Sequence, residues 1–299
     1  SAKSERTKVR ITAMATLGAL GHRPSVVLFE GAMREGRVNI RRAAALGLGS
    51  VAKPGDEKRL GRFLRKEPDT QVKLELVRGL ARIGTPGIIG PLQFLITSPN
   101  LELKLESAAA IGKVGGPAAL QLLSLLKRDR DLNVRFLIWK QLLHQSPKST
   151  AKEFQAGALN WITAANIKEL AAVKNIPLDI FTHIATKGND TQRAAAVEGL
   201  AARGTNAATR LLTVYETSQS EETAQSSMAA LAKIRGEKSI ATYRKAILHK
   251  FGGVRAQAYN AIRRFGPKSL LETALAGLGD KSPVAKAAAA RAALALAKK

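Results

Sequence analysis

Residues 69–84 read DTQVKLELVRGLARIG, and the pattern of these residues indicates the fold class. Apolar side chains recur four, eight and eleven residues after Val72, which is the spacing of one face of a helix with about 3.6 residues per turn. Gly84 comes directly after the last of them, where a chain that leaves a helix needs a left-handed residue. The stretch therefore predicts an amphipathic helix that buries one face and ends at Gly84.

The same pattern recurs along the chain at a fixed period. The first five units open with an apolar residue followed by a basic one, and these dipeptides lie 31 or 32 residues apart. They are Val9-Arg10, Ile40-Arg41, Val72-Lys73, Leu103-Lys104 and Val134-Arg135. The phase is lost after residue 147 and returns, with steps of 30 or 31 residues, at Gln192-Arg193, Thr223-Ala224, Val254-Arg255 and Val284. Such a period predicts stacked units of supersecondary structure.

A second helix follows the first within each unit. Twelve positions after the leading residue, five units carry a glycine, and a proline follows within three residues in four of them. The five glycines are Gly21, Gly84, Gly115, Gly204 and Gly266. We expect these glycines to adopt the left-handed conformation and the next helix to start just beyond them, for example over Pro117–Leu126.

At Asp69–Gly84, Asp131–Leu143 and Asn189–Gly204 the sequence resembles the HEAT-like repeat family. The short unit of that family runs Asp-x-x-x-Val-Arg, then an Ala-rich helix that ends Leu-Gly-x-x-Gly, then a second helix. The resemblance covers nearly the whole chain outside residues 147–187. It implies an all-α fold, a right-handed α-α superhelix or solenoid of eight or nine HEAT-like helix pairs. It is specific for the fold and almost silent about chemistry.

The break in the period predicts three segments. We expect N-terminal HEAT-like repeats in 1–146, an irregular or lengthened helical repeat in 147–187, and C-terminal HEAT-like repeats in 188–299. Within the middle segment, Ser149-Thr150 followed by Glu153 resembles a capping box that opens a helix, and Pro177–Lys187 predicts a second-type helix. Neither end of the chain shows a polar capping helix, so we expect a fragment of a longer protein or ends that contact another molecule.

Composition excludes several classes of protein. The 299 residues carry 48 Lys and Arg against 23 Asp and Glu, a formal charge of +25, but 45% hydrophobic residues exclude a disordered basic tail. The absence of Cys excludes disulfides, thiolate metal sites and cysteine nucleophiles. The four His lie in unrelated units, so we expect no metal site and no cofactor. No long apolar stretch occurs, so we expect a soluble chain, with the cytoplasm as the favoured compartment.

A first stripe of basic residues follows the leading apolar residues, at Arg10, Arg41, Lys73, Lys104, Arg135, Arg193 and Arg255. In HEAT-like repeats this Arg characteristically pairs with an Asp on the preceding turn and builds a ladder between repeats. Only Asp69, Asp129 or Asp131, and Asp190 supply an acid at that spacing. We therefore expect Arg10, Arg41 and Arg255 to have unused hydrogen-bond donors.

A second stripe lies ten positions after the leading residues. It comprises Arg82, Lys113, Lys233 and Arg264, with His144 at the same position; Arg78 and Lys140 stand four residues before Arg82 and His144. The helical period places these side chains away from the buried face. The resemblance implies that this helix lines the concave surface, which predicts a basic groove there. The alternative is a solvated face that keeps the protein soluble.

The leading hypothesis for function is a non-enzymatic scaffold that binds nucleic acid, because Lys and Arg displace counterions from phosphates. The predicted anion-binding residues are Arg78, Arg82, Lys113, Lys140, Lys233, Arg264, Arg10, Arg41 and Arg255. The alternative is a scaffold that binds an acidic protein or segment, and an anionic membrane or envelope polymer is a third possibility. With three Tyr, eight Phe and two Trp, platforms for stacking bases are scarce.

Enzymatic functions find little support in the sequence. No phosphate-binding loop, nucleophile elbow or zinc-protease helix occurs. The chain is similar in architecture to alkylpurine DNA glycosylases, which would assign roles to Trp139, Asp131 and Trp161. However, Leu143 stands where an acid would be needed, and other units carry packing residues at the position of Trp139. A resemblance to the HEAT-like repeats of phycobilin lyases brings no tetrapyrrole site with it. We therefore expect no enzyme, and Trp139 to pack.

Overall fold

The computed structural model of the chain describes residues 2–299, with side chains from residue 5 onward. Within this range the regular structure consists of nineteen α-helices and short 3-10 turns, with no strand. The α-helices are α1 (Ala2–Ala19), α2 (Val26–Ala32), α3 (Val38–Ser50), α4 (Glu57–Lys66), α5 (Thr70–Ile83), α6 (Ile89–Leu92), α7 (Leu101–Val114), α8 (Gly116–Ser124), α9 (Leu132–Gln145), α10 (Pro147–Ala158), α11 (Ala164–Ala172), α12 (Leu178–Lys187), α13 (Asp190–Ala202), α14 (Ala208–Thr217), α15 (Glu221–Arg235), α16 (Ile240–Ala246), α17 (Gly252–Phe265), α18 (Leu271–Ala276) and α19 (Pro283–Ala297).

The chain forms two compact units, Ser1–Gln145 and Ser146–Lys299, which we call unit 1 and unit 2. In unit 1, the odd-numbered helices α1 to α9 pack against one another in series, and α2, α4 and α8 pack against the odd-numbered helix that follows each of them. In unit 2, α11 to α19 form the same kind of series, and α12, α14, α16 and α18 cover it. The odd-numbered, or first, helices therefore make one layer of each unit and the second helices another. The predicted all-α fold of stacked helix pairs is confirmed.

The buried face of each first helix follows the predicted stripe. In α5, Val72, Leu76 and Leu80 are fully buried. Asp69 precedes the helix, and its side chain accepts hydrogen bonds from the backbone N–H groups of Gln71 and Val72, which satisfies two donors that the helix leaves open. The opposite face of the first-helix layer carries polar and charged side chains. The candidate site lies on that face.

Four of the five glycines predicted to be left-handed have a positive φ, and one does not. Gly21, Gly84, Gly115 and Gly204 have φ between 60° and 73°. Gly266 has φ −73° and ψ 144°, because the proline that follows restricts it to extended backbone. A Cβ atom at Gly266 would lie 2.5 Å from the carbonyl oxygen of Ile262, so this position needs glycine for a close approach instead.

The segment 147–187 holds three helices, of which α10 and α11 have unusual lengths. The second helix α10 has 12 residues, whereas the first helix α11 has 9, against 13 to 15 in the other first helices of unit 2. The capping box predicted at Ser149-Thr150 is wrong, because α10 already begins at Pro147 and Thr150 donates its hydroxyl to the carbonyl of Ser146. A capping box occurs instead at Thr163 and opens α11. Helix α12 confirms the predicted second-type helix, and the division into three segments stays a prediction.

Candidate anion-binding cleft

The first stripe of basic residues forms a ladder between successive repeats. Arg255 binds Asp280 through two hydrogen bonds, Nε to Oδ2 at 2.8 Å and Nη2 to Oδ1 at 2.7 Å. The same arrangement occurs between other repeats, with the acid 25 or 26 residues after the cation. These pairs are Arg10 with Glu35, Arg41 with Glu67, and Lys104 with Asp129. The expectation that Arg10, Arg41 and Arg255 have unused donors is therefore wrong, because the loop of the next repeat supplies the carboxylate.

Two of the ladder arginines, Arg41 and Arg255, also hold the loop before their own helix. Arg255 Nη1 donates to the carbonyl oxygens of His249 and Lys250, and Arg41 Nη1 donates to those of Glu35 and Gly36. The hydrogen bond from Arg255 lowers the pKa of Asp280, although burial acts in the opposite direction. Since a carboxylate balances each of these charges, the ladder links successive repeats and offers little attraction to an external anion.

The predicted site residue Arg78 also faces carboxylates. Its guanidinium group lies 3.6 Å from Glu75, 3.4 Å from Glu102 and 3.3 Å from Glu106. Glu75 is in turn 3.6 Å from Arg42, so the cluster joins helices α3, α5 and α7. The charge of Arg78 is therefore compensated within the first-helix layer of unit 1.

Of the remaining predicted residues on the second stripe of unit 1, Lys113 shares a cleft with His144, and Lys140 and Arg82 do not line that cleft. Lys113 and His144 are exposed and line a cleft of about 750 Å³ between α7 and α9. The Lys140 ammonium lies 5.6 Å from the centre of the Phe136 ring. Arg82 is exposed in the last turn of α5. Among these predicted residues of unit 1, Lys113 and His144 thus come together without building a strongly cationic site.

In unit 2, the predicted residues Lys233 and Arg264 meet in one cleft. The cleft has a volume of about 580 Å³ and lies on the first helices α15, α17 and α19. Arg263 and Arg291 also line it, and all four cations are exposed. Among the side chains that the structure describes, no carboxylate lines this cleft, and none of the four cations forms an ion pair. We call this group of four the basic cleft.

Local structure explains why the cations gather here. Lys233 is in the last turn of α15, and Arg263 and Arg264 are in the last turn of α17, where the free carbonyl groups of a helix favour positive charge. The guanidinium of Arg264 lies over the ring of Phe265, 5.1 Å from its centre. The rest of the lining is small or neutral: Ala229, Ala232, Gln257, Asn260 and Ala261. The walls therefore leave the positive charge uncompensated.

Charge is less evenly spread than a comparison of the two halves of the sequence indicates. Residues 223–299 carry 15 Lys and Arg against 3 Asp and Glu, whereas residues 151–222 carry 7 against 8. Sequence reasoning missed Arg263 and Arg291 because they stand nine and seven positions after their leading residues, outside the stripe. A count of charge over single repeats would have pointed to this end of the chain.

The residues considered for catalysis have structural partners. Trp139 is 6% exposed, and its indole N–H donates to the carbonyl of Lys127 at 3.1 Å, so the prediction that it packs is confirmed. Trp161 packs edge to face on Phe154. Over the described side chains, no three His, Asp or Glu converge into a group that could hold a metal ion. In the described part of the chain, no helix is both long and apolar enough to cross a membrane.

Comparisons with known proteins identify the repeat. Residues 57–143 match the family model of HEAT repeats, which confirms the resemblance over that range. No curated protein matches the chain. Among solved structures, human deoxyhypusine hydroxylase in complex with glycerol is 15% identical, with 95% of this chain and 100% of that one covered and a TM-score of 0.36. The Kap95:Nup1 complex, at 11% identity and a TM-score of 0.48, covers 91% of this chain and 45% of that one. An importin beta structure has the same identity and coverage with a TM-score of 0.43.

Proposed function

We propose that the chain is a non-enzymatic scaffold that binds nucleic acid through the basic cleft. The observation that carries this proposal is the convergence of Lys233, Arg263, Arg264 and Arg291 from successive first helices onto one surface without a carboxylate. Such a surface attracts a polyanion, because each Lys or Arg that meets a phosphate releases condensed counterions.

The spacing of the helices suits a duplex. Neighbouring packed helices lie about 8–10 Å apart, and phosphates on one strand of a duplex rise by about 3.4 Å each. One step between first helices therefore corresponds to about three phosphates along a strand. Because the helices are held in a packed layer, the cations are pre-positioned and little entropy is lost when an extended partner binds.

The lining of the basic cleft favours contacts to the backbone over contacts to bases. Phe265 is the one aromatic residue that lines it, and the guanidinium of Arg264 already lies over its ring. Proteins that hold single strands rely on several aromatic side chains that stack on bases. We therefore expect binding that tolerates any sequence and that favours duplexes over single strands.

The same lining argues against an acidic protein as the partner of this cleft. The core of a protein interface is apolar and rich in aromatic residues, Met and Arg. The basic cleft offers alanines, two neutral amides and one partly covered phenylalanine beside its cations. It is suited to a partner whose surface is uniformly charged.

Binding of short DNA duplexes of unrelated sequence to the full chain tests this proposal. We expect K233Q/R263Q/R264Q/R291Q to weaken binding to every duplex by a similar factor. The matched control, K238Q/R244Q/K268Q/K281Q, removes four exposed cations from other parts of unit 2 and should bind like the wild type. The proposal fails if duplexes do not bind above background at about 0.15 M salt while an acidic protein does.

A further inference from the structure

Unit 1 carries a second cleft, on the side of the second helices. It has a volume of about 570 Å³ and lies between the end of α2 and the last turns of α4. Arg34, Arg62 and Lys66 line it and are exposed. Arg62 and Lys66 stand four residues apart on α4, so their side chains project from the same face of that helix. We call this the α2–α4 cleft.

The three carboxylates that line the α2–α4 cleft are already bound. Glu67 accepts two hydrogen bonds from Arg41, both at 2.9 Å, and Glu35 accepts hydrogen bonds from Arg10. Glu30 lies 3.1 Å from the guanidinium of Arg59. The first two of these pairs belong to the ladder. The negative charge of the lining is therefore neutralised from within the protein.

The three cations, in contrast, have no such partner. Arg34, Arg62 and Lys66 form no ion pair with any side chain in the part of unit 1 that the structure describes. When the paired groups are left out of the charge count, these three positive charges remain, and they face the open volume of the cleft. The α2–α4 cleft is a net cationic site.

The floor of this cleft is apolar, unlike that of the basic cleft. Met33, Phe63 and Pro68 line it, Met33 being buried and the Phe63 ring half-buried. A nucleic acid backbone has no aliphatic side chain to place on such a floor. A peptide with acidic residues beside a Leu, Ile or Phe does, and it would bury apolar area on Phe63 and Pro68, next to Met33, while its carboxylates face the cations.

We propose that the α2–α4 cleft binds an acidic peptide segment of a partner protein that carries an apolar anchor residue. This proposal does not depend on the proposed nucleic acid function, because the two clefts share no residue. The chain would then hold two kinds of anionic partner through surfaces of different chemistry, one uniformly charged and one charged around an apolar centre.

The probe for this proposal is a short fluorescein-labelled peptide that alternates Glu and Leu, titrated into the full chain. We expect R34Q/R62Q/K66Q to bind it about tenfold more weakly, because an exposed ion pair changes an affinity by about 1.4- to 5-fold. The matched control, K53Q/K58Q/R65Q, removes three exposed cations from the same unit and should keep wild-type affinity. Replacing Leu by Ser in the peptide should also weaken binding.

A methionine methyl signal reports directly on the floor of the cleft. The chain has three Met, of which Met33 lines the α2–α4 cleft, whereas Met14 and Met228 are buried elsewhere. With methyl-labelled methionine, the peptide should shift the signal of Met33 and leave the other two in place. Unchanged affinity of R34Q/R62Q/K66Q, an equal loss in the control, or a short DNA duplex that shifts Met33 in place of the peptide would each overturn the proposal.

Discussion

The ladder predicts a large effect from replacing one carboxylate by its amide. Asp280 accepts two hydrogen bonds from Arg255 and one from the backbone N–H of Ser282, and its side chain is 8% exposed. Asp280→Asn keeps the shape and one acceptor oxygen but removes the charge. Arg255, 16% exposed, would then keep its backbone carbonyl acceptors and one amide oxygen, but it would lose the carboxylate that balances its charge.

The loss in free energy of unfolding that we expect for Asp280→Asn lies between two limits. Exposed ion pairs contribute about 0.2–1 kcal/mol, and breaking a buried pair costs about 3–5 kcal/mol. Because both partners are largely buried but Arg255 keeps two carbonyl acceptors, we expect Asp280→Asn to lower the free energy of unfolding by about 2 kcal/mol. Urea denaturation followed by circular dichroism measures this loss, and hydrogen exchange of the α17 amides locates it.

The pH dependence of the free energy of unfolding distinguishes the contribution of the ion pair from other effects of the substitution. Arg255 lowers the pKa of Asp280 in the folded state, so the stability that this carboxylate contributes is fully present above its ordinary pKa of about 3.9. It is lost as the pH falls through the lowered pKa. The difference between wild type and Asp280→Asn should therefore shrink in acid. A difference below about 0.5 kcal/mol at neutral pH, or one equal to that of the exposed control Glu237→Gln, would refute the role of the ladder.

Three further outcomes follow from the structure. Arg78→Gln should leave duplex affinity within about twofold, measured by fluorescence anisotropy, since three carboxylates compensate its charge; a loss as large as that of the basic-cleft variant would place the site in unit 1. The chain should release no base from alkylated duplex DNA, while Trp139→Ala should cost about 3–5 kcal/mol in urea denaturation, as expected of a packing residue; release abolished by that substitution would establish a glycosylase. Gly266→Ala should lower the melting temperature, because its Cβ atom would meet the carbonyl of Ile262, and an unchanged value would contradict that contact.

Local features were predictable because each depends on a few neighbouring residues. The buried stripe of α5 follows from the spacing after Val72, and the glycine at the end of that helix follows from the need for a left-handed residue at Gly84. Gly266 departs from this rule because the adjacent proline imposes a stronger restriction. The period and the helix pairs could therefore be derived from the sequence alone.

Partners supplied by another repeat were not predictable from the same pattern. The carboxylate that binds Arg255 lies 25 residues later, and two of those around Arg78 lie 24 and 28 residues later. Which residues meet depends on how successive repeats stack, and the sequence of one repeat does not contain that register. The same reason explains why Arg291 joins Lys233 in the basic cleft although they occupy different positions in their units.

The slope of duplex affinity against salt concentration tests the basic cleft most directly. Each phosphate contact contributes about 0.9 to the slope of log K against log salt, so four contacts account for about 3.6, or on the order of 100-fold between about 0.05 and 0.2 M salt. We expect K233Q/R263Q/R264Q/R291Q to lower the slope by about this amount, and K238Q/R244Q/K268Q/K281Q to keep the wild-type slope. Equal slopes for the wild type and the basic-cleft variant, or equal reductions in both variants, would contradict binding through this cleft.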